Sequence, residues 1–102
     1  MHMRIVWGKI LPGQWEAFEA AYKKALEIRG EVKGLKHQWL VRDHNDHDAG
    51  YSISLWESEG DMRAFWESKK RSNAMAAIQP FFVNQFTVTN CEIRVSSPPA
   101  EK

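Results

Sequence analysis

Two neighbouring segments of this chain, Leu35 to Arg42 and Tyr51 to Trp56, alternate as β-strands yet carry large apolar side chains on both faces. In the second, Tyr51, Ile53 and Leu55 fall on one face, and Ser52, Ser54 and Trp56 on the other. In the first, His37, Trp39 and Val41 share one phase and Leu40 takes the opposite one. A sheet built from such strands needs cover on two sides. A chain of 102 residues has room for one domain and one modest core. Its own helices can cover one face, and a second copy of the chain is the simplest cover for the other.

The flanking segments supply those helices and two further strands. Met3 to Ile10 is rich in β-branched and aromatic residues and reads as a strand, followed by the turn Leu11-Pro12-Gly13. Trp15, Phe18, Tyr22 and Ala25 recur at spacings of three and four, with Glu16, Glu19, Lys23 and Lys24 between them. That is an amphipathic helix, with Gly30 as its stop. Asp43 to Gly50 is turn chemistry between two strands of a hairpin. Ser58 and Asp61 read as a cap before a helix with the stripe Met62, Phe65, Trp66. Ser72 is expected to cap a short third helix through Ile78, ended by Pro80, and Gln85 to Val95 reads as a last strand. The order β-α-β-β-α-β predicts an α+β, ferredoxin-like fold with a four-stranded antiparallel sheet and both helices on one face. The domain is expected to span 3–95, with 96–102 a disordered tail.

Charge narrows the function classes. Fourteen Lys and Arg stand against 13 Asp and Glu, so no electrostatic case for nucleic acid exists. The densest basic cluster, Lys69 to Arg71, reads as a solvated helix end. The single cysteine, Cys91, rules out an internal disulfide and any multi-cysteine metal site, and suits a reducing compartment. No apolar run approaches the ~20 residues that span a bilayer. The start MHMRIVWGKI lacks a secretory signal core, so the expectation is a cytoplasmic protein with no membrane partner. His44 and His47 among Asp43, Asp46 and Asp48 read as a solvated turn, and no metal site is expected. No phosphate loop, nucleophile elbow or pair of catalytic carboxylates is present. Five Trp and five Phe form a high aromatic load, suited to a pocket wall or a subunit interface.

Three stretches carry a resemblance: LPGQWEAFEAAY (Leu11 to Tyr22), GLKHQWLVRD (Gly34 to Asp43) and above all SLWESEGDMRAFWES (Ser54 to Ser68). With them the chain resembles the antibiotic biosynthesis monooxygenase family over about residues 3 to 95. The resemblance implies a dimeric α+β barrel, with a pocket between the sheet and the helices of each subunit. One branch of that family oxidises polycyclic phenols or anthrones with molecular oxygen and no cofactor. Such enzymes use a Trp at the end of the third strand, an Asn earlier on it, a Tyr on the next helix and an Arg farther along. Trp56 matches the Trp, whereas Ser52 stands at the Asn position, Met62 at the Tyr position and Met75 or Ala76 near the Arg position. A haem-degrading branch needs an axial His where this chain has Met75, and a Trp where it has Phe65. The resemblance therefore does not extend to haem degradation.

Trp56 and His37 are the catalytic candidates. An indole N–H can donate to a carbonyl or developing phenolate, and an imidazole can take a phenolic proton. Tyr51, Ser52, Met62, Phe65, Trp66 and Met75 are the candidate substrate contacts. Two readings stand. One is a cofactor-independent monooxygenase acting on a hydroquinone- or anthrone-like substrate, in which a phenol deprotonated in a dry pocket reduces oxygen itself. The other is a non-catalytic ligand-binding or interaction domain on the same scaffold.

Overall fold

In the computed structural model, which describes residues 1–83 and 86–98, four strands form one antiparallel sheet. They are β1 (His2–Lys9), β2 (Leu35–Arg42), β3 (Ala49–Trp56) and β4 (Thr87–Glu92), in the spatial order β2-β3-β1-β4. Helix α1 (Trp15–Arg29) joins β1 to β2, and helices α2 (Glu59–Trp66) and α3 (Lys69–Ile78) lie between β3 and β4. A 3-10 turn, Gln79–Phe81, follows α3. This is the ferredoxin-like order expected from the sequence. No helix among the described residues is long and apolar enough to cross a membrane.

The hairpin register sets everything else. Trp39 pairs with Ile53 and Val41 with Tyr51, while across the central pair Ile5 meets Ile53 and Trp7 meets Tyr51. Directly paired residues share a face. Met3, Ile5, Trp7, Trp39, Val41, Tyr51, Ile53 and Leu55 therefore stand together on one side, and Arg4, Val6, Gln38, Leu40, Ser52, Ser54 and Trp56 on the other. The helices cover the second set. Trp56 is 1% exposed and Ser54 is buried, whereas Trp39 and Val41 on the open side are both 39% exposed.

Helix α1 buries Trp15, Phe18, Tyr22 and Ala25, the stripe its spacing predicts. Phe18 is the hub, with ring centroids of Trp15, Tyr22, Phe81 and Phe82 between 5.4 and 6.1 Å away. Burying one such ring contributes about 1.5–3 kcal/mol. Gly30 takes a positive φ of 64° at the C-terminus, where its N–H returns to the carbonyl of Leu26. Ala74 and Ile78 of α3 complete the same core.

Several boundaries differ from the sequence expectation. Ser58 caps α2 through Asp61 N–H at 3.1 Å, as the spacing predicts. The third helix, however, starts at Lys69 under a cap from Ser68, one turn of helix before the expected cap at Ser72. Ser72 instead turns its hydroxyl back to the Ser68 carbonyl. Strand β1 ends at Lys9, because Ile10 leaves the ladder for an isolated bridge with Phe82. Strand β4 is shorter than 85–95, and Gln85 lies outside the described residues, as do tail residues 99–102.

Candidate functional site

Between the sheet and the helices lies a cavity of about 110 Å³. The sheet gives it a floor of small and polar side chains, Ser52 and Ser54 from β3 and Gln38 from β2, with Trp56 at one end. The helices give it a largely apolar roof, including Ala25 and Leu26, Phe65 and Trp66, and Ala74 and Met75. Room exists because β3 places serines where the neighbouring phase carries Ile53 and Leu55. A pair of aliphatic residues there would fill the space.

The polar groups of the floor are already organised. Gln38 Nε2 donates to the Tyr22 hydroxyl at 2.6 Å, and that hydroxyl lies 2.7 Å from Ser52 Oγ. Either hydroxyl can donate in the second bond, so one proton of the pair remains for a ligand. Burial pushes the Tyr22 phenol above its ordinary pKa, against the opposite pull of Ser52, Gln38 and the Arg29 charge. Tyr22 is thus held as a neutral hydrogen-bonding group. The Trp56 indole N–H donates to Ser54 Oγ at 2.8 Å, which occupies the donor expected to meet a substrate.

Three guanidinium groups enter the same space, from Arg4 on β1, Arg29 at the end of α1 and Arg71 in the first turn of α3. Arg4 and Arg71 both stack on Trp66, with their central carbons 4.1 and 3.8 Å from a ring centroid. Burial lowers the pKa of all three, and the Arg71 charge lowers Arg4 further. No aspartate, glutamate or histidine lines the cavity among the described residues.

Of the residues expected from the sequence, Trp56, Ser52, Phe65, Trp66 and Met75 come together around this cavity. Met62 is buried but does not line it. His37 is the clear departure. It lies on the open face of the sheet, its ring 4.3 Å from that of Trp39, with the β-sheet between it and the cavity. Tyr51 pairs with Trp7 and Val41 on that same face, and the residue borders only a second, smaller cavity of about 30 Å³ beside Trp15 and Phe18. The phase shared by His37 and Trp39 was legible in the sequence, but the helices cover the other phase.

Sequence reasoning missed Tyr22, Gln38 and the three arginines. Arg4 carried a signal, since it alternates in phase with Val6 and Gly8 and pairs with Ser54. The run Lys69 to Arg71 reads as a solvated end, and there the structure differs. Arg71 turns inward over Trp66 while Lys70 reaches the Glu31 carbonyl at 2.7 Å. In the hairpin loop, Asp46 is held by Lys9 at 2.6 Å and Asp48 accepts from the Gly13 N–H. Among the described residues, no group of three His, Cys, Asp or Glu side chains is placed to hold a metal ion.

The model of one protein family, described as antibiotic biosynthesis monooxygenase, matches residues 1–77 of the chain. The chain belongs to this family. No curated protein matches its sequence. Among solved structures it is similar to SnoaB, a cofactor-independent oxygenase from Streptomyces nogalater, crystallised as a mutant. The TM-score is 0.80 at 12% identity, over 96% of this chain and 97% of that one. A conserved protein from Methanosarcina mazei matches with a TM-score of 0.78 at 12% identity, over 92% and 94% of the two chains. Rv0793 from Mycobacterium tuberculosis gives 0.77 at 12% identity, over 94% and 97%. At such identities the likeness is one of fold. Family membership makes monooxygenase chemistry the frame for the cavity, and the substrate has to be argued from its lining.

Proposed function

We propose that the 3–95 domain is a cofactor-independent monooxygenase that oxidises a hydroquinone- or anthrone-like aromatic substrate with molecular oxygen. The observation that carries this reading is a cavity with aromatic walls whose charged groups are all cationic. Cationic groups around a phenol or enol lower its pKa and favour the electron-rich anion. That anion reduces oxygen directly. For an anthrone, the ring carbanion joins oxygen to give a hydroperoxide, which loses water to leave a carbonyl. One oxygen atom stays in the product and the other leaves as water, with all four electrons drawn from the two C–H bonds of the methylene carbon that becomes the carbonyl. In this reading Ser52 and Tyr22 bond the substrate oxygen, and Trp56 and Phe65 hold its ring plane. The substrate proton passes to water, since His37 is on the far side of the sheet. Haem stays outside the proposal because, among the described residues, no histidine lines the cavity to serve as an axial ligand.

The reading also places a second copy of the chain on the open sheet face. That face is apolar along Ile5, Trp7, Trp39, Val41 and Ile53, as a subunit interface core requires. A cytoplasmic setting fits the single free thiol of Cys91.

The test is oxygen consumption by metal-free, haem-free protein with a panel of anthrones and hydroquinones. Uptake above the autoxidation blank, reduced in Trp56→Phe and Ser52→Ala, is the expected result. No uptake across the panel turns the reading toward the second one, a ligand-binding domain without turnover. One specific observation favours that second reading. The Trp56 N–H is already bonded within the protein, and among the described residues no His, Asp or Glu faces the cavity as a general base.

A further inference from the structure

Among the described residues, the cavity gathers three arginines and no Asp or Glu. Surface cations find carboxylates easily, and six such pairs, four of lysine and two of arginine, occur elsewhere among the described residues. Arg4, Arg29 and Arg71 are in none of them. Their neutral partners leave donors over. Arg4 gives its Nε to the Asn90 side chain at 2.8 Å, and Arg29 reaches only the Gly30 carbonyl, with its Nε buried and unpartnered. Arg4 is 7% exposed, so its charge sits away from water, and among the described residues no carboxylate pairs with it.

The local sequence also works against Arg71. A cation in the first turn of a helix faces the positive end of the helix dipole, and α3 has no acidic residue in that turn. Lys69 and Lys70 share the turn, but they turn to solvent and to the Glu31 carbonyl, whereas Arg71 is held inward over Trp66. Local rules broken without compensation inside the chain point to something bound.

We propose that the natural ligand of this cavity is an aromatic carboxylate, its anionic group held by Arg4 and Arg71 beside Trp66 with Arg29 closing the far side. The assignment rests on the cavity being the substrate site, as the oxygenase reading has it, and adds the chemical class of the substrate. A carboxylate is planar and accepts the paired N–H groups of a guanidinium, and a guanidinium stacked on an indole presents those N–H groups at its edge. The apolar remainder of the lining, from Ala25, Leu26, Phe65 and Ala74, suits a ring body and offers few donors for a larger oxyanion. One carboxylate offsets part of the three charges, and the phenolate formed in turnover offsets more.

Calorimetric titration of the full chain with 2-naphthoate, its neutral isostere 2-naphthamide and 2-naphthyl phosphate tests this without any turnover. The acid is expected to bind about tenfold or more tightly than the amide, consistent with charge-assisted bonds. Arg71→Gln, at a half-buried position that is not needed for the core, removes that preference, the acid losing more affinity than the amide. Arg71→Lys restores only part of it, because an ammonium lacks the planar fork. Arg4→Gln is expected to act likewise, with circular dichroism checking that it folds. Equal binding of acid and amide, or a preference that Arg71→Gln leaves intact, overturns the proposal. Tighter binding of the phosphate overturns the choice of carboxylate. The oxygenase reading fails separately: a chain that prefers acids but consumes no oxygen keeps this ligand class and loses the reaction.

Discussion

Ser54 accepts the indole N–H of Trp56 at 2.8 Å, across two residues on the same face of β3. Trp56 is 1% exposed, so water cannot replace that acceptor. Ser54→Ala leaves a buried donor unpaired, and the expected cost is about 1–3 kcal/mol. Urea unfolding of the two proteins measures it. An unchanged midpoint would mean that the indole finds another acceptor, and the donor would then be open to a ligand as well.

Tyr22 gives the fold a slope at alkaline pH. Burial raises its phenol above the ordinary value, so the folded state keeps a proton that the unfolded chain releases near pH ~10. Between the unfolded and folded pKa values the unfolded state binds fewer protons, and stability falls as pH rises. This contribution is complete below about pH 10 and is lost as pH climbs through the folded value. Tyr22→Phe should cost about 1 kcal/mol at neutral pH through the lost bonds to Ser52 and Gln38. It should also remove the slope, so the gap in melting temperature between variant and wild type narrows from about pH 9 to about pH 11. A constant gap would show that Tyr22 ionises as freely in the fold as outside it.

The open sheet face should behave as an interface. Light scattering at micromolar concentration is expected to give twice the chain mass of 11.8 kDa. Trp39→Asp combined with Ile53→Asp puts two charges at a directly paired position on that face and should yield a monomer. Wild-type protein at the single-chain mass would leave the apolar face without the cover proposed for it.

Two glycines separate steric crowding from backbone conformation. At Gly50 an added Cβ would run into the Val41 carbonyl and stand 2.6 Å from the Trp15 ring, although its φ is unremarkable. At Gly13 the space is empty but φ is +74°. Gly50→Ala should cost about 1–3 kcal/mol or more by overpacking, and Gly13→Ala about 1–2 kcal/mol from the left-handed backbone alone. Chemical denaturation of both variants should rank Gly50 above Gly13. The reverse order would mean that Trp15 yields easily.

The element order, the hairpin and the α1 stripe were legible because each is a periodicity of large apolar residues within one short window. The same signal did not say which face of β3 the helices cover. Tyr51, Ile53 and Leu55 form the more apolar phase, yet the helices lie over Ser52, Ser54 and Trp56. A cavity floor must be built from small side chains, so it looks like a solvated face to any hydrophobicity pattern. The arginines were unreadable for a different reason. Arg4, Arg29 and Arg71 stand on three elements, and each alone resembles a solvated charge or a helix-end cation. Only the fold brings them around Trp66 and Tyr22.

The two-residue period of β3 has one more consequence, for anyone who would redesign this molecule. Ser52 and Ser54 set the capacity of the chamber, whereas Tyr51 and Ile53, one step along the same strand, set what can dock on the outside. Replacing Ser52 by valine trims the space for a ligand and leaves the outer surface as it was; exchanging Ile53 does the converse. Ligand size and self-association are therefore separate design variables written on a single strand.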